Sequence, residues 1–291
     1  MEQTEHVKNT PPYEEKFPSD NTDKKRTRYV RKPKSHVVLT DIHMAIASSF
    51  TRLEVATYEM EHHMLATDFP QTSEREIDDA TKLLHDLGYI FLIPRDTHKP
   101  NVFQLDKKGA KLLVGMGVDR DSLSVYTGDV GYLDHKEMRA FFGAVLTHAL
   151  NEGHTDMEAW EREYILEVPK TRDAPKIIIR PDGIMRLPNQ RGGRSRFPLE
   201  IHTGTQWSAR IMSDKISRHI AYHDNLPATD GPDTWHSLFI TKTKGDMEWL
   251  RSLAHDSPSL WFICQDMYQR DYQSSLIGWT AGDGSLHTLT E

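Results

Sequence analysis

Two carboxylates and an imidazole between residues 176 and 207 have the types and spacing for chemistry on a phosphate. Asp182 stands in a Pro-Asp-Gly turn after the β-branched run Ile177–Ile179. Glu200 ends the apolar run 197–199, and His202 lies two residues further on. Side chains two apart on a strand share a face, so Glu200 and His202 point the same way. An Asp at a turn beside a Glu-x-polar strand can place two carboxylates around one hard cation, which takes oxygen ligands. Pro-Asp-Gly alone is a common turn, so the weight falls on the combination.

Those residues need a scaffold. The stretch itself reads as strand, tight turn, strand, basic hairpin tip and strand, with Arg191, Arg194 and Arg196 in the tip. An amphipathic helix follows, with Ile211, Ile216 and Ile220 on one side and Lys215 and Arg218 on the other. Strand (233–243), helix (245–256), strand (260–266) and a hairpin-like tail complete the chain. Upstream, residues 134–152 read as a helix that opens near His135. Residues 157–168 read as helix running into strand, with Trp160 and Tyr164 four apart. Glu161 and Glu163 lie on different faces of that helix; one of them could turn toward Asp182 and Glu200, and the plainer reading is a solvated acidic helix. This alternation predicts an α/β domain around a mixed sheet.

Nearer the N-terminus the pattern changes. Residues 1–34 lack apolar periodicity and are rich in Pro, Lys, Glu, Asp and Thr, the composition of a disordered arm. They hold nine Lys/Arg and six Asp/Glu, seven of the basic residues falling between 24 and 34. Lys24, Lys25, Arg26, Arg28, Arg31 and Lys32 are candidate phosphate contacts, with Tyr29 available to stack; a solubilising tail is the alternative. Thr40 caps a first helix (Ile42, Ala45, Ile46, Phe50), and Thr51 is expected to cap a second through Leu53, Val55 and Met60. Ser73 caps a third, with Glu76 in the capping-box position and Gly88 ending it. Two strands (89–94 and 101–106) and a short helix follow. Three helices and a two-stranded wing describe a winged helix, whose third helix would read DNA. Arg75, Thr81, Lys82 and His85 on that helix, and Arg95, His98 and Lys99 on the wing, favour DNA; Glu74, Glu76, Asp78 and Asp79 oppose it. A winged helix used for protein contacts or dimerisation is the alternative.

Composition sets the bounds. The chain has 291 residues, 37% hydrophobic and 27% charged, enough for two modest cores. Net charge is −7, which excludes a uniformly basic nucleic-acid binder and makes any DNA contact local. The single cysteine, Cys264 in an apolar run, excludes an internal disulfide and a Cys-based zinc site and reads as a small buried hydrophobe. No apolar run approaches the ~20 residues that span a bilayer, and the polar N-terminus is not a signal peptide. A cytoplasmic protein without membrane contact is expected.

In this order, helix, Glu163, strand, Pro181-Asp182-Gly183, strand, Glu200-x-His202 and helix, the second half resembles a PD-(D/E)XK nuclease core. The whole chain, over about residues 38–280, resembles the replication-relaxation family of plasmid and mobile-element proteins. The matching segments are Leu105-Asp106-Lys107-Lys108-Gly109-Ala110-Lys111-Leu112-Leu113, the helix opening with His135, and Trp160-Glu161-Arg162-Glu163. The turn 181–183, Leu199-Glu200-Ile201-His202-Thr203-Gly204-Thr205, and the helix with Lys215-Ile216 and Tyr222 complete them.

The resemblance implies an arm (1–34), a winged-helix DNA-binding domain (35–116), a linker (117–133) and a restriction-endonuclease-like mixed-sheet domain (134–291). It implies Mg²⁺ or Mn²⁺ held by Asp182, Glu200 and Glu163, with His202 orienting or deprotonating the attacking water and Lys215 on the phosphate. The substrate would be double-stranded DNA, nicked or cut at an origin in plasmid or mobile-element replication or transfer. A homodimer or other replication and transfer proteins are the further partners. The nuclease superfamily usually has Lys at the position of His202, and replication-relaxation proteins more often Asp. His202 could be a base, a metal ligand or the mark of a site that has lost activity. A catalytically inactive DNA-binding regulator, and a protein-interaction module presenting the acidic helix 74–87, are the competing readings.

Overall fold

Thr40 starts the first helix by pairing reciprocally with His43, and α1 (Asp41–Ser49) buries Ile46 and Ala47. The structure, a computed structural model, describes residues 37–290 apart from 94, 96–98, 127–132, 154, 156, 163–164, 169–175, 205–207, 227–231 and 282–283. The basic arm, His98 and Glu163 therefore lie outside the described residues. Leu39–Glu291 packs as one unit.

After α1 the chain forms β1 (Val55–Ala56), α2 (Tyr58–Leu65), α3 (Glu74–Asp86), β2 (Ile90–Ile93), β3 (Val102–Leu105) and α4 (Lys107–Gly115). The second helix was expected from Thr51. It starts at Tyr58 instead, capped by Thr57, whose hydroxyl accepts from the Met60 amide at 3.3 Å. Val55 and Ala56 pair antiparallel with Gln104 and Phe103. Both are fully buried; strand pairing of a β-branched residue outweighs the helical spacing of Leu53, Val55 and Met60. The result is a three-stranded sheet in the order β1-β3-β2, built with three helices. The Ser73 capping box forms as expected, and Gly88 takes a positive φ of 80° after α3.

The rest comprises α5 (Leu133–Glu152), β4 (Ala159–Arg162), β5 (Leu166–Val168), β6 (Ile177–Ile179), β7 (Gly183–Pro188), β8 (Arg194–His202) and α6 (Ala209–Asp224). Then come β9 (Thr234–Trp235), β10 (Ser237–Thr241), α7 (Lys244–Leu253), β11 (Leu260–Cys264), α8 (Gln265–Tyr268), β12 (Ile277–Thr280) and β13 (Leu286–Thr288). The main sheet runs β13-β12-β11-β10-β8-β7-β4, with β9 beside β8. Strands β8, β10 and β11 are mutually parallel; β4, β7 and β8 form an antiparallel meander. This is the expected mixed α/β sheet.

Two local expectations need correction. Residues 159–162 are strand, not helix: they pair with β7, and the Trp160 ring lies against Gly143 of α5. Four residues bound to a sheet edge and anchored by one aromatic outweigh a single i,i+4 spacing. Ile177–Ile179 does not join the main sheet; it pairs with β5 as a separate two-stranded ladder. Its Ile179 packs with Leu166, Val168, Ile184 and Tyr222.

Every residue of β10 and β11 is buried, the pattern of strands covered on both faces. Phe239, Phe262 and Cys264 pack against Met212 and Ile216 of α6 and Met247 and Leu250 of α7. By strand alternation Leu238, Ile240, Trp261 and Ile263 face the other way. Helix α5 packs against β8 and α8, with Phe142 between Trp160 and Tyr268.

Two backbone and core features yield measurable outcomes. A Cβ on Gly109 would stand 2.2 Å from the Tyr89 carbonyl oxygen, whereas one on Gly115 meets nothing within 4 Å. Gly109→Ala should therefore lower stability in urea by about 1–3 kcal/mol, and Gly115→Ala should be neutral or stabilising by under about 1 kcal/mol. Glu61 is fully buried and accepts from the Ser49 hydroxyl at 2.9 Å. Burial, against that hydrogen bond, pushes its carboxyl from 4.5 up to about 8. Between those values the native chain holds a proton the unfolded chain releases, so stability falls as pH rises. Glu61→Gln should unfold at higher urea than wild type at pH 8, with the gap closing toward pH 4.5.

Candidate functional site

Asp182 leads into β7 and is pinned to the neighbouring strand. Its amide donates to the Leu199 carbonyl at 2.8 Å, and its Oδ2 accepts from the Ile201 amide at 2.8 Å. On the other side Gly183 lets β4 approach, since a Cβ there would come within 2.7 Å of the Glu161 carbonyl. Glu200 lies on β8 between those contacts, 2% exposed. Its Oε2 is ion-paired with the Lys215 ammonium of α6. Its Oε1 is 2.7 Å from His219 Nε2. Burial works against charge on Lys215, but Glu200 and Asp182 outweigh it and raise its pKa. Asp182 is likewise subject to burial, which raises its pKa. His135, Lys215 and the Ile201 amide outweigh that and hold it below the ordinary range.

Asp182, Glu200 and Lys215 thus come together. His202 shares the face of Glu200: its ring centroid is 5.9 Å from that of Trp249, and Trp249 packs on the same α6–α7 cluster. It is 4% exposed, and its Nδ1 has no hydrogen-bond partner among the described residues. Burial, then Lys215, lower its pKa against the opposing pull of Asp246. The third expected carboxylate, Glu163, lies outside the described residues. Among the described residues no cluster of three or more His, Cys, Asp or Glu could hold a metal ion. Asp182 and Glu200 nevertheless have the chemistry for a hard cation: two oxygen donors already share one positive charge.

Sequence reasoning missed the residues around this pair. His135 Nε2 stands 3.1 Å from Asp182 Oδ2. Four residues on, Arg139 is 5% exposed, donates to the Asp182 carbonyl at 2.6 Å and to Glu54 Oε2 at 2.5 Å. Lys136 also holds Glu54, at 2.5 Å. The i,i+4 spacing of His135 and Arg139 places both on one helix face. Lys215, His219 and His223 repeat at the same interval on α6, which was the available signal for His219.

The expected DNA contacts are dispersed. Arg95, its side chain 6% exposed, is bound by Asp134 and Glu137 of α5 at 2.7 Å each, and Lys99 reaches Asp134 at 3.1 Å. Arg95 and Lys99 are thereby tied to α5. On α3, Thr81 and His85 are buried, which corrects their expected placement toward DNA; Arg75 and Lys82 are exposed beside Glu74 and Asp79. The hydrophobic spacing of α3 turns Thr81 inward with Ile77 and Leu84, and its hydroxyl donates to the Ile77 carbonyl. At the hairpin tip Arg191 is exposed, Arg194 pairs with Glu158 at 2.6 Å and Arg196 with Asp233 at 3.2 Å. No helix among the described residues is long and apolar enough to cross a membrane.

Arg139 carries a testable weight. Arg139→Met leaves Glu54 short of a buried partner and the Asp182 carbonyl without its donor. It should cost about 3–5 kcal/mol in denaturant unfolding, whereas Lys99→Met at the exposed Asp134 pair should cost under about 1 kcal/mol.

No protein-family model matches the chain, and no curated protein matches it. Two solved structures show a remote likeness, the restriction endonuclease FokI and FokI bound to DNA. Each is 11% identical with a TM-score of 0.24, over 76% and 82% of this chain and 41% and 46% of theirs. The chain spans less than half the length of either.

Proposed function

We propose that this chain binds double-stranded DNA and cleaves a phosphodiester bond at Asp182, Glu200, Lys215 and His202, with Mg²⁺ or Mn²⁺ held by the two carboxylates. The observation that carries this reading is the convergence of Asp182 and Glu200, from adjacent strands of one meander, on a single positive charge. The helix–three-strand–helix–strand order around them (α5, β4, β7, β8, α6, β10) fits the PD-(D/E)XK arrangement that the sequence resembles. A division into arm (1–34), winged helix (35–116), linker (117–133) and nuclease-like part (134–291) belongs to the same reading. So does a role in plasmid or mobile-element replication or transfer like that of replication-relaxation proteins.

The ion, when bound, neutralises phosphate charge and acidifies a water. Lys215 stays protonated under its raised pKa, so it acts as a charge toward phosphate and not as a base. His202 has the uncommitted Nδ1 that a base needs: a water proton would pass to it as the oxygen attacks phosphorus, and the 3′ or 5′ oxygen leaves. Arg191 at the hairpin tip and the arm would contact the DNA backbone, with Arg75 and Lys82 as further contacts from α3.

A second reading has its own support. Both oxygens of Glu200 already have partners, Lys215 and His219, and α3 exposes more acid (Glu74, Glu76, Asp79) than base (Arg75, Lys82). That favours a DNA-binding regulator on the same fold with no cleavage.

Supercoiled plasmid carrying a candidate origin, incubated with Mn²⁺ or Mg²⁺, separates the two. Cleavage should fall at least about 100-fold in Asp182→Asn and Glu200→Gln. If those variants cut as fast as wild type, the site assignment fails. If wild type binds a specific duplex but never cuts, and binding survives Asp182→Asn, the regulator reading stands.

A further inference from the structure

Glu200 is backed by a chain of buried polar groups that the proposed cleavage does not use. His219 Nε2 is 2.7 Å from Glu200 Oε1, and His219 Nδ1 is 2.7 Å from Ser237 Oγ. Ser237 Oγ is in turn 2.9 Å from His223 Nε2. His219 and Ser237 are fully buried, so neither can touch a substrate. The His219 ring is also held edge-on by Phe239, with centroids 5.3 Å apart.

The hydrogen positions follow from the charge at one end. A carboxylate paired with the Lys215 ammonium can only accept. His219 must therefore carry a proton on Nε2, and as a neutral ring it leaves Nδ1 bare. Ser237 donates its hydroxyl hydrogen to that Nδ1. The Ser237 oxygen then accepts from His223 Nε2–H. With His219 neutral, this assignment satisfies all three bonds.

We propose that His219 is a positioning residue: oriented by Ser237 and His223, it takes one oxygen of Glu200 and turns the other toward Lys215 and the cation. This deepens, and rests on, the metal-dependent reading of Asp182 and Glu200. Outer groups that hydrogen-bond a ligating side chain fix its orientation, and their loss weakens metal binding by about 10–100-fold. Sequence carried a hint in the Lys215, His219, His223 repeat, which marks one helix face but does not say that Ser237 joins it.

The test uses the full chain, Mn²⁺ titrated by calorimetry, and a thermal melt of each variant. His219→Leu should weaken Mn²⁺ binding by about 10-fold or more. His219→Gln, whose amide can donate to Glu200 and whose carbonyl can accept from Ser237, should restore most of it. Ser237→Ala should fall between. His219→Leu that melts as a folded protein and binds Mn²⁺ like wild type overturns the proposal. If that variant does not fold, Ser237→Ala binding Mn²⁺ like wild type overturns it instead. If wild type binds no Mn²⁺, the metal reading itself fails, and nitrogen-15 NMR of labelled histidine decides the positioning role alone. A proton on His219 Nε2 is expected, and an Nε2 without one sinks the arrangement.

Discussion

One buried guanidinium ties the molecule together. Arg139, near the start of α5, cannot shed its charge, and taking an ion out of water costs several kcal/mol unless it is paired and hydrogen-bonded. It is satisfied from two sides: by Glu54, just before β1 of the small three-stranded sheet, and by the carbonyl of Asp182. Glu54 is held further by Lys136 and by the Ser124 hydroxyl. The N-terminal helices therefore cannot move off α5 without unpairing a charge whose other contact is the candidate site. The contacts of Arg95 and Lys99 with Asp134 and Glu137 extend the seam along the same helix. At its far end His63 of α2 meets His148 of α5, Nδ1 to Nδ1 at 3.0 Å, with Tyr272 stacked on His148.

Seen this way, α5 is the organising helix, and its composition explains why sequence said little about it. Met138 to Thr147 are buried without a break, so there is no polar stripe to reveal which face meets which partner. The elements that were legible are those with local causes. The Ser73 capping box, Gly88 at positive φ and the apolar runs of β10 and β11 depend on neighbours in sequence. What was not legible depends on partners far away. Val55–Ala56 is a strand because residues 103–104 supply the other half of the ladder. Residues 159–162 are a strand because β7 does the same and because Gly143 leaves room for Trp160. The wing cations looked like DNA contacts because basic residues in a polar loop have no local sign that acids on a later helix will bind them.

The candidate site divides along the same line. Strand alternation correctly placed Glu200 and His202 on one face, and the order of motifs brought Asp182 and Lys215 to it. The side chains that fix them, His135 and Arg139 on α5 and His219 on α6, recur at intervals of four. A four-residue interval is equally the signature of a core helix, so it could not be weighed without the fold.

Lys215 decides the character of the site. Two carboxylates buried near one another repel, and without a counter-charge one of them would take up a proton. The hydrogen bond to His135 and, after it, the Lys215 charge ease that pressure, and Asp182 stays below the ordinary carboxylate range despite its burial. The charged form of Asp182 is therefore favoured and aimed before any ion arrives, and Glu200 is held in place by the same ammonium. A divalent cation would have to share these oxygens with that resident ammonium. With Lys215 kept charged by Glu200 and Asp182, it is unavailable as a base, whereas His202 on that face has an Nδ1 with no hydrogen-bond partner among the described residues.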